Sequence, residues 1–283
     1  MTMVAKISDI IRVLNDIAPP SLAEEWDNIG LQLGDPTGSV KKIWVALDPT
    51  IHVVKAACAH DIDMLITHHP LIFKPVKTID FQTPLGAIID LACRHHLAIF
   101  SAHTNLDSAW GGLNDIFAHR IGLQDLKPLA AGAESKQFDC DNDPLVSKPD
   151  RPGIGRVGHL EHRTDLKSLA LSIKKIMDLK FIQYSGDPDL SIKTVAICTG
   201  SGSGLLSHFL ASGAQVYISG DMRYHDARDV EAAKLGIIDI GHFSSEHFIV
   251  NDLAERLKTI VAESSLNITI EACDLEKDPF EVL

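Results

Sequence analysis

The chain has 283 residues, 45% hydrophobic and 23% charged, enough for one large domain or two ordinary ones with a sizeable core. A formal net charge of −12 repels polyphosphate backbones and disfavours nucleic acid, while a small anionic ligand held by cations or backbone dipoles stays compatible. No apolar run could cross a bilayer, the opening MTMVAKISDIIRVLNDIAPP lacks a signal-peptide core, and five scattered cysteines form no CxxC pair, so a reduced, cytoplasmic protein is expected.

In ISDIIRVLNDIA (7–18), apolar residues at helical spacing predict a helix, with Ser8 as its cap and Pro19-Pro20 as its stop. EEWDNIGLQLGD (24–35) reads as a buried aromatic anchor, Trp26, followed by a turn and a strand. Residues 41–48, 63–69 and 97–103 read as strands, separated by helices over 49–61 and 83–96, with a further helix over 111–122. Strands alternating with helices of ten or more residues imply βαβ units and a mostly parallel sheet.

From residue 124 to 153 periodicity is lost among Asp, Pro, Ser and Lys. The expected organisation is therefore an N-terminal α/β domain over 1–125, a linker or surface excursion over 126–153, and a second α/β segment over 154–283. The C-terminal part of that segment could pack back on the first domain. Beyond the linker, the alternation resumes with strands at 154–162, 179–186, 192–200, 214–221, 237–242 and 267–273. Helices separate them except between 179–186 and 192–200, the last helix a long one over 245–264. CTGSGSGLL (198–206) is read as a tight strand-to-helix turn in preference to a phosphate cradle, since it lacks GxGxxG spacing and a P-loop lysine.

In open α/β sheets ligands bind beyond the carboxyl ends of strands. Four such ends here carry imidazole, carboxylate or both: His68-His69; His103 with Asp107; Asp221 with His225; His242 with Glu246. Imidazole nitrogen with carboxylate oxygen suits zinc, iron or manganese, whereas calcium and magnesium prefer oxygen alone. If the chain turns at Pro70, His68 and His69 can splay apart and serve two ions a few Å from each other, as in two-metal hydrolytic sites. Capping of helix N-termini explains Asp107 or Glu246 singly. It does not explain the adjacent histidines or the loading of four strand ends.

The segments EEWDNIGLQLGD, MLITHHPLIF, SAHTNLDSAWGGLND, ICTGSGSG and YISGDMRYHDARDVEAAKLGIIDIGHFSSE together resemble the Nif-three-like family, also known as GTP cyclohydrolase I type 2. The resemblance runs from about residue 7 to about residue 270. It implies two α/β domains with mostly parallel or mixed sheets, a metal site in the cleft between them, and assembly into a homohexamer.

It also implies two divalent transition metal ions per subunit, with His68, His69, Asp107, His242 and Glu246 as ligands. His103 beside the site and His225 of the YHD motif become the candidates for general acid/base or supporting roles. The function expected is hydrolysis of a nucleotide-like or phosphorylated small molecule. The alternative is a metal-trafficking or regulatory protein without turnover.

Overall fold

The computed structural model describes residues 5–131, 152–264 and 266–281. In chain order the elements are α1 (Ile7–Ile17), β1 (Gly30–Leu33), β2 (Lys42–Ala46), α2 (Ile51–Ala59), β3 (Met64–Thr67), α3 (Pro84–Arg94), β4 (Ala98–Ser101) and α4 (Thr104–Ser108). There follow α5 (Leu113–Arg120), β5 (Leu123–Ala131), β6 (Gly153–Asp165), α6 (Leu166–Ile176), β7 (Gln183–Ser185), β8 (Ser191–Ser201) and α7 (Leu206–Ala211). The chain ends with β9 (Val216–Gly220), α8 (Tyr224–Ala232), β10 (Gly236–Asp239), α9 (His242–Glu246), α10 (Ile249–Glu263) and β11 (Thr269–Ala272).

Two compact units result, Met1–Leu106 with His247–Leu283, and Asp107–Glu246. The division falls inside α4 and just after α9, not at residue 125. One reason is α5, whose buried Leu113 and Phe117 pack against β5, β6 and β8, so residues 107–125 follow the second sheet.

The first unit is built on a five-stranded sheet in the order β1-β4-β3-β2-β11. β4, β3, β2 and β11 run parallel and β1 is antiparallel to β4. MLIT and AIFS are buried along their whole length, as central parallel strands covered by helices require. Threonines start the covering helices: Thr50 Oγ1 accepts from Val53 N at 3.2 Å, and Thr83 Oγ1 from Gly86 N at 3.1 Å. At α1 the expected cap is displaced. The helix begins at Ile7, and the Asp9 carboxylate reaches back to accept from Lys6 N at 2.9 Å.

The second unit holds a mixed six-stranded sheet in the order β5-β6-β8-β9-β10-β7. Its centre, β8-β9-β10, is parallel, and the flanking pairs are antiparallel. Phe209 stacked on Tyr217, with ring centroids 5.1 Å apart, anchors the core on one face.

Strand β5 falls where loss of periodicity suggests a linker. Its pairing with β6 shifts register between Gln124 and Lys127, and Asp125 there adopts a φ of 54°. That bulge breaks the alternation that would mark a strand. Residues 132–151 of the expected linker lie outside the described residues. The expected long helix over 245–264 is two helices, α9 and α10. Among the described residues no helix is long and apolar enough to cross a membrane.

Candidate metal centre

In the first unit, β3 delivers two histidines at its carboxyl end. Their backbone amides keep the β2 pairing, His68 N donating to Ala46 O at 3.2 Å and His69 N to Leu47 O at 2.9 Å. Thr67 Oγ1 donates to His69 O at 2.8 Å, and Ser101 Oγ to His68 O at 2.8 Å, which fixes the turn into Pro70. The Nδ1 atoms of the two rings bond different neighbours, Ala102 O and Asp48 Oδ1. Their ring centroids are nevertheless only 5.1 Å apart.

His103, just beyond β4, joins them. Its ring lies 5.1 Å from that of His68 and 5.6 Å from that of His69. One ring nitrogen from each of the three lies within 4.8 Å of the other two, with His68 buried and its companions half-buried.

Each of these rings has an acceptor on Nδ1: Ala102 O at 2.9 Å for His68, Asp48 Oδ1 at 2.8 Å for His69, and Asp27 Oδ1 at 2.9 Å for His103. A carbonyl or carboxylate there holds the proton on Nδ1 and leaves the lone pair on Nε2. That is the arrangement metal-ligating imidazoles show. Asp27 also accepts from Thr104 N and Thr104 Oγ1. Burial alone would raise its pKa. The hydrogen bonds from His103 and Thr104 and the charge of His103 win, holding Asp27 at about 2.

In the second unit, α9 places His242 and Glu246 four residues apart on one face, with His242 Nε2 3.1 Å from Glu246 Oε2. Asp221 Oδ2, after β9, accepts from His242 Nδ1 at 2.8 Å, the same acceptor pattern as in the first unit. Gly200 lies directly under the pair. Its φ is +67°, and a Cβ there would come 2.1 Å from Glu246 Oε1 and 3.5 Å from His242 Nε2. Gly200 N donates to Ser245 Oγ at 2.8 Å, and Ser245 Oγ donates to His242 O at 2.7 Å, so α9 is bolted to the end of β8.

Asp107, buried on α4, belongs to the same network. Asn114 Nδ2 donates to Asp107 O at 3.1 Å while its Oδ1 accepts from Thr199 N at 3.0 Å, next to Gly200. Burial pushes the Cys198 thiol well up, and the carboxylates of Asp107 and Glu246 push it further. The groupings able to hold an ion among the described residues offer imidazole nitrogen and carboxylate oxygen and no thiol.

The glycine alternation of CTGSGSG thus serves close packing. A Cβ on Gly202 would meet Ser219 Oγ at 2.1 Å, whereas one on Gly204 meets nothing within 4 Å.

Under these side chains is a buried support that charge patterning does not reveal. Arg156, fully buried, pairs with Asp115 and donates to Ser108 O at 3.2 Å and Ala109 O at 3.0 Å, immediately after Asp107. Its guanidinium carbon lies 4.6 Å from the centre of the Trp110 ring.

Of the residues expected at the site, His68, His69 and His103 come together in the first unit. His242 and Glu246 come together in the second, with Asp107 tied to their floor through Asn114. His225 lies on α8 with its ring 5.4 Å from that of Tyr224, and among the described residues the groupings able to hold an ion do not include it. Sequence reading overlooked Asp27 and Asp48. Asp48 stands two residues beyond β2 and meets the strand-end criterion, but no histidine adjoins it in the sequence. Asp27 reaches His103 across 76 residues, which leaves no local signal.

Both donor sets fit a divalent transition metal. Imidazole nitrogens this close suit bonds of about 2.0–2.2 Å to one ion, and buried carboxylates are retained most readily beside cations. An α/β protein with two sheets and histidine–carboxylate clusters at strand ends is the class this defines.

The Duf34/NIF3 (NGG1p interacting factor 3) family profile matches residues 5–279, and the chain belongs to that family. It is 36% identical to a GTP cyclohydrolase 1 type 2 homolog of Clostridium perfringens, over 98% of this chain and 100% of the relative. A protein of the same name from Clostridium acetobutylicum is 33% identical over 99% of each chain. The crystal structure of a Bacillus cereus protein related to NIF3 superposes with a TM-score of 0.89 at 27% identity, covering 100% of both chains.

Proposed function

We propose that the chain is a dinuclear metal-dependent hydrolase acting on a nucleotide-like or phosphorylated small molecule. His68, His69, Asp107, His242 and Glu246 supply the ligands of two divalent ions. The observation that carries this reading is the shared Nδ1 pattern: His68, His69, His103 and His242 each bond an oxygen there, which orients Nε2 for coordination or proton transfer. The relatives' name, GTP cyclohydrolase 1 type 2 homolog, is compatible with such an activity.

Divalent ions, when bound, bring the pKa of a bound water toward neutrality and stabilise anionic charge developing on phosphate or a purine ring. The chain's own residues do the rest. Asp27 holds the His103 ring by Nδ1, so that Nε2 can take and return a proton. His103 is a better proton carrier than His225, whose ring packs on Tyr224 and for which no such carboxylate stands among the described residues. Assembly as a homohexamer and a cytoplasmic location belong to the same reading.

The test is metal analysis of wild-type protein beside His68→Ala and Glu246→Ala, followed by a nucleotide and phosphoester panel. Loss of bound metal in both variants, with turnover lost in parallel, is the expected result. Equal metal in all three removes the ligand assignment. Stoichiometric metal without turnover of any panel member leaves the trafficking or regulatory alternative.

A further inference from the structure

The fold leaves Trp26 58% exposed and Phe73 50% exposed, although composition suggests that Trp26 is a buried anchor. Adjoining exposed aromatic rings form an apolar patch of the kind that marks a binding site, which scattered exposed side chains do not. The two rings meet edge to face, with centroids 5.7 Å apart and an interplanar angle of 61°. His103 lies next to both, its ring 6.1 Å from Trp26 and 6.5 Å from Phe73. The exposed pair is thus one ring away from the three-histidine cluster.

Polar side chains hold the pair in place. Asn28 Nδ2 donates to Ile72 O at 2.7 Å, and Gln32 Oε1 accepts from Ile72 N at 3.3 Å. Gln32 also accepts from Asn28 Nδ2 at 3.1 Å and donates through Nε2 to Asn28 O at 2.8 Å. Both backbone groups of the residue before Phe73 are therefore stitched to the Trp26 loop. Between Trp26 and Asn28, Asp27 is anchored on His103 and Thr104. The segment EEWDNIGLQ acquires a single rationale: Trp26 offers a surface, Asp27 fixes the neighbouring imidazole, and Asn28 and Gln32 set the second ring.

We infer that Trp26 and Phe73 form a preorganised stacking platform for the flat heteroaromatic ring of a nucleobase-type substrate, beside His103. A planar ring of that kind suits an L-shaped pair of aromatic faces, and stacking is favourable for any base. A rigid platform also avoids the ordering cost of a mobile one. The occupant is a small molecule because a chain of net charge −12 repels longer polyanions. The inference rests on the metal-centre reading only for the part of the substrate that carries charge.

The test therefore uses three probes on the full chain, with and without zinc: guanosine, guanosine 5′-monophosphate and ribose 5-phosphate. Affinities are read by calorimetry and by quenching of tryptophan emission. Wild type is expected to bind both guanine probes, quench on doing so, and bind ribose 5-phosphate at least about tenfold more weakly than the nucleotide.

Trp26→Ala should weaken both guanine probes by about 5-fold to about 150-fold, the range of one stacked base. It should leave ribose 5-phosphate affinity and zinc content unchanged. Trp26→Phe should restore most of the lost affinity, and Phe73→Ala should show a smaller loss of the same kind.

Equal affinity for nucleotide and sugar phosphate, unaltered by Trp26→Ala, overturns the platform. So does a parallel fall of all three probes and of zinc content, which would make Trp26 a support for His103. Dissociation of an oligomer on Trp26→Ala would assign the rings to a subunit contact and overturn it as well. Guanosine carries no phosphate, so its binding survives if only the metal reading fails.

Discussion

Asp27 accepts from His103 Nδ1 through both carboxylate oxygens, at 2.9 and 3.0 Å, with its own side chain fully buried. A carboxylate removed from water and still held at about 2 is more stable ionised than protonated in the folded state. Its folded pKa lies below the ordinary 3.8. The associated stability is therefore complete above pH 4 or so and lost as pH falls through about 2. It amounts to about 2 kcal/mol. Acid unfolding of wild type followed by circular dichroism should show that loss, and Asp27→Asn should lack it. Matching pH slopes in the two proteins between about pH 4 and pH 2 would contradict the role assigned to the pair.

Gly200 and Gly204 stand four residues apart in one glycine-rich turn, yet their surroundings differ completely. Alanine at 200 must adopt a positive φ and place its Cβ against Glu246, whereas Gly204 opens on space. Gly200→Ala is expected to lower stability by about 1–3 kcal/mol and to reduce bound metal, since Glu246 must move. Gly204→Ala should stay within about 0.5 kcal/mol of wild type and keep its metal. Thermal melts with metal analysis on the two variants decide it, and equal behaviour would remove Gly200 from the site.

Arg156 is among the largest side chains fully buried in the described residues, and its charge is answered by Asp115. Arg156→Met leaves the Asp115 carboxylate buried without its partner, which should cost about 3–5 kcal/mol in urea unfolding. Adding Asp115→Asn should recover a large part of that loss. Bound metal should also fall in the single variant, because Ser108 O and Ala109 O follow Asp107 and lose their donors. A near-neutral single variant would show that the pair has no structural role.

The strand ends bearing histidine were legible because two rules coincide: apolar runs mark buried strands, and the polar residues that stop them stand where ligands bind. Thus His68-His69 at the end of β3, and His242 with Glu246 just beyond β10, could be picked out from residue order, whereas α9 itself could not, since His242 reads as strand and Ser245 onward as one long helix. Other features lacked local marks. The bulge at Asp125 hides β5 from any period-2 reading. The return of β11 to pair with β2 is a contact between residues 42–45 and 269–272, more than half the chain apart. Trp26 looks like core because composition records that a side chain is apolar, not whether the fold covers it. Arg156 looks like surface for the converse reason.

Three carboxylates, Asp27, Asp48 and Asp221, each accept from the Nδ1 of a candidate histidine, at 2.9, 2.8 and 2.8 Å respectively. None is among the proposed ligands, so each should tune the site without being indispensable to it. For Asp48→Asn and Asp221→Asn the expectation is a fall in metal affinity of roughly 10–100-fold, with the ions still bound at saturation. His68→Ala, by contrast, should lose an ion outright. Competition with a graded series of chelators separates the two outcomes, because a weakened site shifts its midpoint while a missing one lowers the stoichiometry. An asparagine amide can still accept through its oxygen but carries no charge. A loss close to 10-fold would therefore point to orientation of the ring as the main effect, and one near 100-fold to the added basicity that a charged partner lends Nε2. Midpoints unchanged in both variants would show that His69 and His242 do not act as metal ligands.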